Sequence, residues 1–379
     1  MEGSGRGRGS GSATGARGED CDDTTGTATR MIRLAQLFTG GVGSEIVRRC
    51  AGHPELDLVA VLVHSEDKAG KDAGALVGAE PNGVVTTRSV DDVLAARPDA
   101  AIYSGMQWDV DLFVRLLRAG VNVYTGLGGY YLPGLPEFDP LDAAGREGDA
   151  SFGAGGNIPG LISDVLPLFL TGYTGRIRAI RASQRNDVST YESAAQIASL
   201  GIARAPGDDP EIAEMIDVGF AGAMRQSANM IADGIGVECT DLVLAEKRVV
   251  LASEDFVLSG SGLVVRAGTV AGVEWTFVAT AGDREFYTVS NQQTAALGLG
   301  PGWRQSHEEA PWRVEIDGEP SIVATLGWPP GAPPGKSTQL LNVSRAMNTI
   351  PRLVAARPGC VSVLDFPSVV AGDGLAPQQ

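Results

Sequence analysis

Residues 31–65 read MIRLAQLFTGGVGSEIVRRCAGHPELDLVAVLVHS, and this stretch decides the fold. An apolar run over 32–38 enters the turn Thr39-Gly40-Gly41-Val42-Gly43, a short helical segment over 44–50 follows, and a second apolar run occupies 56–63. That order is strand, turn, helix, strand. A glycine-rich turn feeding a helix lets backbone N–H groups and the positive end of the helix meet a pyrophosphate, the physical basis of dinucleotide binding. The fingerprint G-x-G-x-x-G falls on Phe38-Thr39-Gly40-Gly41-Val42-Gly43, with its second and third glycines in place and Phe38 where the first belongs. A ring at that position is expected to crowd a turn that must come close to phosphate.

The alternation continues outward. A short strand is predicted over 83–87, a helix over 89–96 capped by Ser89, a strand over 99–103, a helix over 109–119 ended by Gly120, a strand over 121–124, a helix from Asp139 to Arg146 and a strand over 150–152. Strands alternating with short helices describe a doubly wound parallel sheet, a Rossmann-type α/β fold over residues 31–155. From about residue 157 the pattern changes. Helices are predicted over 159–170 and 210–234, a strand over 177–183, and strands rich in Val, Thr and aromatics over 248–258, 262–270, 272–281 and 312–325. These describe a second α+β domain over 156–334 with a mixed, largely antiparallel sheet. The amphipathic stretch 338–356 is expected to pack back on the first domain, within a returning segment 335–379.

Composition bounds the partners. The 379 residues carry a net charge of −16, which argues against nucleic acid or an anionic membrane surface, since both reward a basic face. No apolar run approaches the length of a membrane span. Four cysteines without a C-x-x-C pair point to neither a disulfide framework nor a metal site, and a reducing cytoplasm is expected. Residues 1–30, Gly, Ser and Thr mixed with charge, have little to bury and are expected to be disordered.

Three motifs carry a resemblance: residues 32–74 with Val63-His64-Ser65 and Lys68, Gly70, Lys71, Asp72 and Gly74; Asn157-Ile158-Pro159-Gly160; and Ala346-Met347-Asn348 followed by Ile350-Pro351. Together they resemble the dihydrodipicolinate reductase-like family, nearest in look to 2,4-diaminopentanoate dehydrogenase and related NAD(P)-dependent amine dehydrogenases. The resemblance covers about residues 31–370. It implies a Rossmann domain, a substrate domain that also forms a homodimer, and hydride transfer between nicotinamide and a C–N carbon of a small amine or amino-acid-like substrate, the partner molecule being an amine and its ketone or an imine. The paired-histidine motif of the reductases proper is absent from 183–191 (SQRNDVSTY), so their chemistry is not carried over.

Hydride transfer at a C–N carbon needs a carboxylate near the nitrogen. Candidates follow the C-terminal ends of strands, where ligands of open α/β sheets bind: Asp109 and Asp111 after the fourth strand, Glu137 and Asp139 after the fifth. Asp109 and Asp139 read equally as helix caps, which makes Glu137 the preferred acid. Thr39, Gly40, Gly41, Val42, Gly43, Ser65, Lys68, Tyr103, Ser104 and Asn157 are the expected cofactor contacts. The second strand ends in His64-Ser65 without an acid at its tip, and Ser65, Lys68 and Lys71 suit a 2′-phosphate. Glu66 and Asp67 oppose that, so NADP is preferred with NAD as the alternative. A second reading remains: a family member that kept the fold, lost turnover and serves as a binding or scaffold protein.

Overall fold

The computed structural model describes residues 30–366 and 369–370. The tail expected to be disordered lies, apart from Arg30, outside the described residues.

The first sheet is built as the spacing predicts, from β1 (Ile32–Leu37), β2 (Leu56–Leu62), β3 (Thr86–Thr87), β4 (Ala100–Tyr103), β5 (Asn122–Thr125) and β6 (Ser151–Ala154), with helices α1 (Gly41–Cys50), α2 (Ala73–Leu76), α3 (Val90–Ala95), α4 (Val110–Arg118) and α5 (Phe138–Glu147) between them. Continuous apolar strands suit a sheet covered on both faces. One face packs Ile46, Val47, Val343, Met347 and Ile350, and the other Phe113, Leu116, Leu141 and Phe152. Ser89 and Asp109 cap α3 and α4, accepting from the Asp92 and Leu112 amides. Asp139 does not cap α5: the helix begins one residue before it, Glu137 holds the cap position without a capping hydrogen bond, and Asp139 lies in the first turn.

The second half departs further from expectation. The helix predicted over 159–170 begins only at Val165, as α6 (Val165–Thr171). A cis Ile158–Pro159 bond and Gly160 at φ +129 precede it, and Asp164 supplies its cap. The six-stranded sheet contains β7 (Gly175–Asp187), and α7 (Ala194–Ala198) and α8 (Pro210–Ile235) follow that strand. The stretch predicted as one strand over 248–258 is two elements. β8 (Asp241–Leu251) joins the sheet, while β9 (Phe256–Val257) pairs with β10 (Val264–Val265) in a separate ribbon. The sheet is completed by β11 (Val270–Ala281), β12 (Arg284–Thr294), β13 (Trp312–Glu319) and β14 (Ile322–Leu326), in the order β14-β13-β7-β12-β11-β8. β12 was not among the predicted strands. It runs parallel to β7 and antiparallel to β11, which makes the sheet mixed.

Helix α9 (Pro334–Val354) returns to the first sheet through Val343, Ala346, Met347, Ile350 and Leu353, and β15 (Gly359–Cys360) adds a seventh parallel strand beside β6. The spacing of those apolar residues, three or four apart, marks one stripe of a helix.

Candidate active site

The glycine turn separates the tasks of its glycines. A Cβ on Gly43 would lie 2.0 Å from the Phe38 carbonyl oxygen, so helix and strand meet backbone to backbone there. Gly40 has nothing within 4 Å of its Cβ position, which leaves its backbone open to a ligand. Helix α1 has no side-chain cap and no acid in its first turn, so its leading N–H groups and its positive end are unspent. Lys68 Nζ donates to the Thr39 carbonyl at 3.3 Å and to Thr39 Oγ1 at 3.4 Å, bringing a cation to the same turn.

Phe38 adopts φ +70, the left-handed region that a glycine enters freely. Its ring does not crowd the turn, contrary to expectation: it turns edge-on to Tyr103, with centroids 5.5 Å apart, and toward His64 at 6.5 Å. Buried Gln36 holds the strained backbone, its Nε2 donating to the Phe38 carbonyl at 2.9 Å and to Ser104 Oγ at 3.1 Å. Tyr103 is buried between Phe38 and Phe113, and its hydroxyl donates to the Gln107 carbonyl. Burial, reinforced by Asp109, raises that phenol above its usual range.

An open cleft of about 430 Å³ lies at the tips of β1 and β2, lined by Phe38, His64, Arg88, Asp109, Asp111, Leu112 and Arg115 among others. Two of the predicted acids therefore meet on the β2 side of the glycine turn. Glu137 is not among the residues lining this cleft. It stands half-buried at the start of α5, after the loop 126–136 that follows β5. Ser65 occupies the cap position of the short 3₁₀ turn Glu66–Lys68.

On the far side of the turn the structure joins the predicted Asn157 to residues that the sequence reading did not single out. Asn157 is buried and donates to the Thr338 carbonyl at 3.0 Å, tying its loop to α9. Along α9, Gln339 Nε2 lies 2.7 Å from the Cβ position of Gly41, Asn342 Oδ1 lies 3.6 Å from that of Gly156, and Arg345 Nε 3.6 Å from that of Gly155. This polar stripe at intervals of three borders the apolar one, and reading 338–356 as two-faced would have found it. Tyr124 donates to the Gly155 carbonyl and Tyr130 to the Gly126 carbonyl. Burial pushes the Tyr124 phenol up to about 12, and it raises Tyr130 further, with Tyr124 and Asp164 adding to the effect.

Asp164 is fully buried, and its carboxylate accepts from the Val165 amide at 2.6 Å, the Gly160 amide at 3.0 Å and Ser227 Oγ at 2.9 Å. Burial raises its pKa, and these donors, together with the Arg345 charge, oppose the rise. It thereby fastens the loop 157–164 to α8.

A doubly wound sheet with an open glycine turn, joined to a mixed sheet, is the architecture of a dinucleotide-binding protein. The 2,4-diaminopentanoate dehydrogenase C-terminal domain matches residues 161–377, and this chain belongs to that dehydrogenase family. It is 31% identical over 356 residues to an amine dehydrogenase of Streptomyces virginiae, covering 89% of this chain and 96% of that protein. Its fold is similar to the solved amine dehydrogenase of Mycobacterium smegmatis, with a TM-score of 0.75 at 20% identity, covering 92% of this chain and 99% of that one. A probable dehydrogenase of Thermotoga maritima aligns with a TM-score of 0.52 at 12% identity, covering 88% and 92% of the two chains. Among the described residues no helix is long and apolar enough to cross a membrane.

Proposed function

We propose that this oxidoreductase is an NADP-dependent amine dehydrogenase that oxidises a small amine to a ketone and, in reverse, reduces the imine formed from that ketone and ammonia. The observation that carries the reading is the open backbone of Gly40 beside the uncapped start of α1, in a chain of this dehydrogenase family. Thr39 to Gly43 would hold the pyrophosphate, and Lys68 with His64 and Arg88 of the neighbouring cleft would meet the adenosine end. The basic groups there favour a 2′-phosphate, hence NADP over NAD. Ser65 and Ser104 would supply polar contacts at the tips of β2 and β4. Tyr103 would contribute only its ring, and Asn157 would border the nicotinamide end.

The bound nicotinamide supplies the hydride acceptor in one direction and the donor in the other. In oxidation the amine must first lose its ammonium proton. Hydride leaves its carbon, water adds to the resulting C=N carbon, and ammonium departs from the ketone. Glu137 is proposed to take and return the nitrogen's proton: it is half-buried, follows the loop after β5 and makes no capping hydrogen bond. Asp109 is committed to the α4 cap, and Asp111 shares its cleft. Residues 156–334 are proposed to carry the substrate site and a homodimer contact, because the sheet face away from its helices leaves Ser183, Thr276, Thr288 and Ser290 half-exposed.

The experiment is a thermal shift with each nucleotide, followed by NADPH formation from a panel of small amines in the cytoplasmic pH range. A nucleotide at 100 times its Kd adds about 2.7 kcal/mol of stability. A shift with NADP(H) and amine-dependent reduction are expected. A shift without turnover on any amine favours the binding-protein reading, and no shift with any nucleotide overturns the dehydrogenase.

A further inference from the structure

The face of the second sheet that α8 covers is apolar until its strands reach their last rows. Val314, Ala182, Val289 and Phe277 lie side by side across β13, β7, β12 and β11, and all four are buried. The next row on that face is Trp312, Gln184, Asn291 and Trp275, and the row beyond it sets Asn186 beside Gln293. Four amides thus form a square inside the protein, where Asn186 is 7% exposed and Asn291 only 2%. Burying an amide is costly unless its hydrogen bonds are made.

They are made only in part. Trp312 Nε1 donates to Gln184 Oε1 at 3.0 Å, Asn186 Nδ2 donates to the Tyr191 hydroxyl at 2.8 Å and to Gln293 Oε1 at 2.9 Å, and Gln293 Nε2 donates to Asn291 Oδ1 at 2.6 Å. Among the described residues no hydrogen bond uses Gln184 Nε2, Asn291 Nδ2, Asn186 Oδ1 or the proton of the Tyr191 hydroxyl. Burial raises the Tyr191 phenol, so that proton stays in place. Three donor groups and one acceptor, all neutral, are left over on one patch. Trp312 and Trp275 flank it, and Trp328 stands edge-on to Trp312 with centroids 5.1 Å apart.

The patch stands at the cofactor end of the sheet. β7 and β12 are parallel, so both deliver their amides to the same end. Thr190, next to Tyr191, sets its hydroxyl against the Cβ position of Gly335 at the start of α9. Gln339, one turn further along the same face of α9, lies over Gly41 of the glycine turn.

We infer that Gln184, Asn186, Asn291 and Gln293, with Tyr191, bind a neutral hydroxyl carried by the amine substrate, and so select amino alcohols over plain alkyl amines. The inference rests on the amine dehydrogenase reading. A hydroxyl both gives and takes a hydrogen bond, as this patch does, whereas a charged group would lose its hydration here without gaining an opposite charge.

The test compares amines CH3–CH(NH2)–R, in which R ends in a hydroxyl after one, two or three methylenes, each against the analogue with methyl in place of the hydroxyl. In the wild type, kcat/KM for the amino alcohol is expected to exceed that of its methyl partner by about 10- to 100-fold at one spacing at least. Asn186→Leu keeps the size and removes the acceptor, and should bring that ratio to one or below. Tyr191→Phe removes one donor and should lower the ratio part of the way. Nucleotide-induced thermal shifts on both variants check that the fold and the cofactor site survive. A wild-type ratio at or below one for every spacing overturns the inference, as does an unchanged ratio in Asn186→Leu. If that variant fails to fold, an unchanged ratio in Tyr191→Phe overturns it instead. Equal oxidation of both series removes the hydroxyl site, leaves the amides to bind water alone and lets the dehydrogenase stand, whereas oxidation of neither removes both.

Discussion

The carbonyl oxygen of Phe38 occupies the space that a Cβ on Gly43 would need, at 2.0 Å. Strand β1 and helix α1 therefore close on each other backbone to backbone, with Gln36 Nε2 also only 2.8 Å from that position, while Gly40, three residues earlier, faces open space. Gly43→Ala should force the helix off the strand and cost about 1–3 kcal/mol of stability, the usual cost of overpacking. Gly40→Ala should fold normally, because its φ of −75 suits any residue, yet bind nucleotide less tightly. Melting curves with and without NADPH separate the two. Equal loss of stability in both variants would contradict the division of labour.

Phe38→Gly relieves a left-handed conformation that costs on the order of 1 kcal/mol, but it deletes the edge-on contact with Tyr103, a pair worth roughly 0.5–1.5 kcal/mol beyond burial. Stability should change little or fall. Because the ring lines the cleft beside His64, nucleotide affinity should fall as well. A titration showing tighter binding would restore the idea that the ring crowds the phosphate.

Lys68 and Arg88 approach the nucleotide end from different elements. Replacing either by Ala should weaken NADPH more than NADH, by roughly 10-fold or more for a lost charge-assisted contact. Calorimetric titration of both nucleotides measures the ratio, and equal losses would remove the case for 2′-phosphate recognition.

Glu137→Gln keeps shape and deletes charge, so nucleotide affinity should survive while kcat falls by about 10²–10⁴. Asp109→Ala should instead lose the α4 cap, about 1 kcal/mol of stability. Near-normal turnover in Glu137→Gln would transfer the proton role to Asp111 or Tyr130.

Acid stability has one legible contributor on the rim of the first sheet. Asp72 accepts from the amides of Ala75, Gly83 and Asn82, which hold its pKa below the ordinary 3.8. A folded-state pKa below the unfolded one means that the stabilisation is complete above pH 3.8 and is lost as pH falls through the lower, folded value. Asp72→Asn should melt below the wild type at neutral pH, with the gap closing as the pH drops under 3.8. A gap that persists unchanged into strong acid would show that the carboxylate's charge is not what matters.

The strand, glycine turn, helix and strand of residues 32–62 were legible in the sequence because they rest on local rules: apolar runs, a turn that needs glycine, and caps such as Ser89 and Asp109. The family resemblance was legible for the same reason, since short motifs survive as contiguous residues. The left-handed Phe38 was not, because Gln36, Tyr103 and Ser104 stabilise it from two strands and the following loop. Nor was β15, whose two residues qualify as a strand only through hydrogen bonds to β6, nor the parallel pairing of β12 with β7. The helix expected at 159–170 gave way because Gly160 sits against the backbone of Gly156, in a conformation that no helix contains. The meeting of Arg345, Tyr124, Gly155 and Asp164 depends on α9 returning to the first sheet. The amphipathic pattern of 338–356 pointed to that return but not to its register: burial of the Val343–Ile350 stripe drives it, and the site follows from where the helix comes to rest.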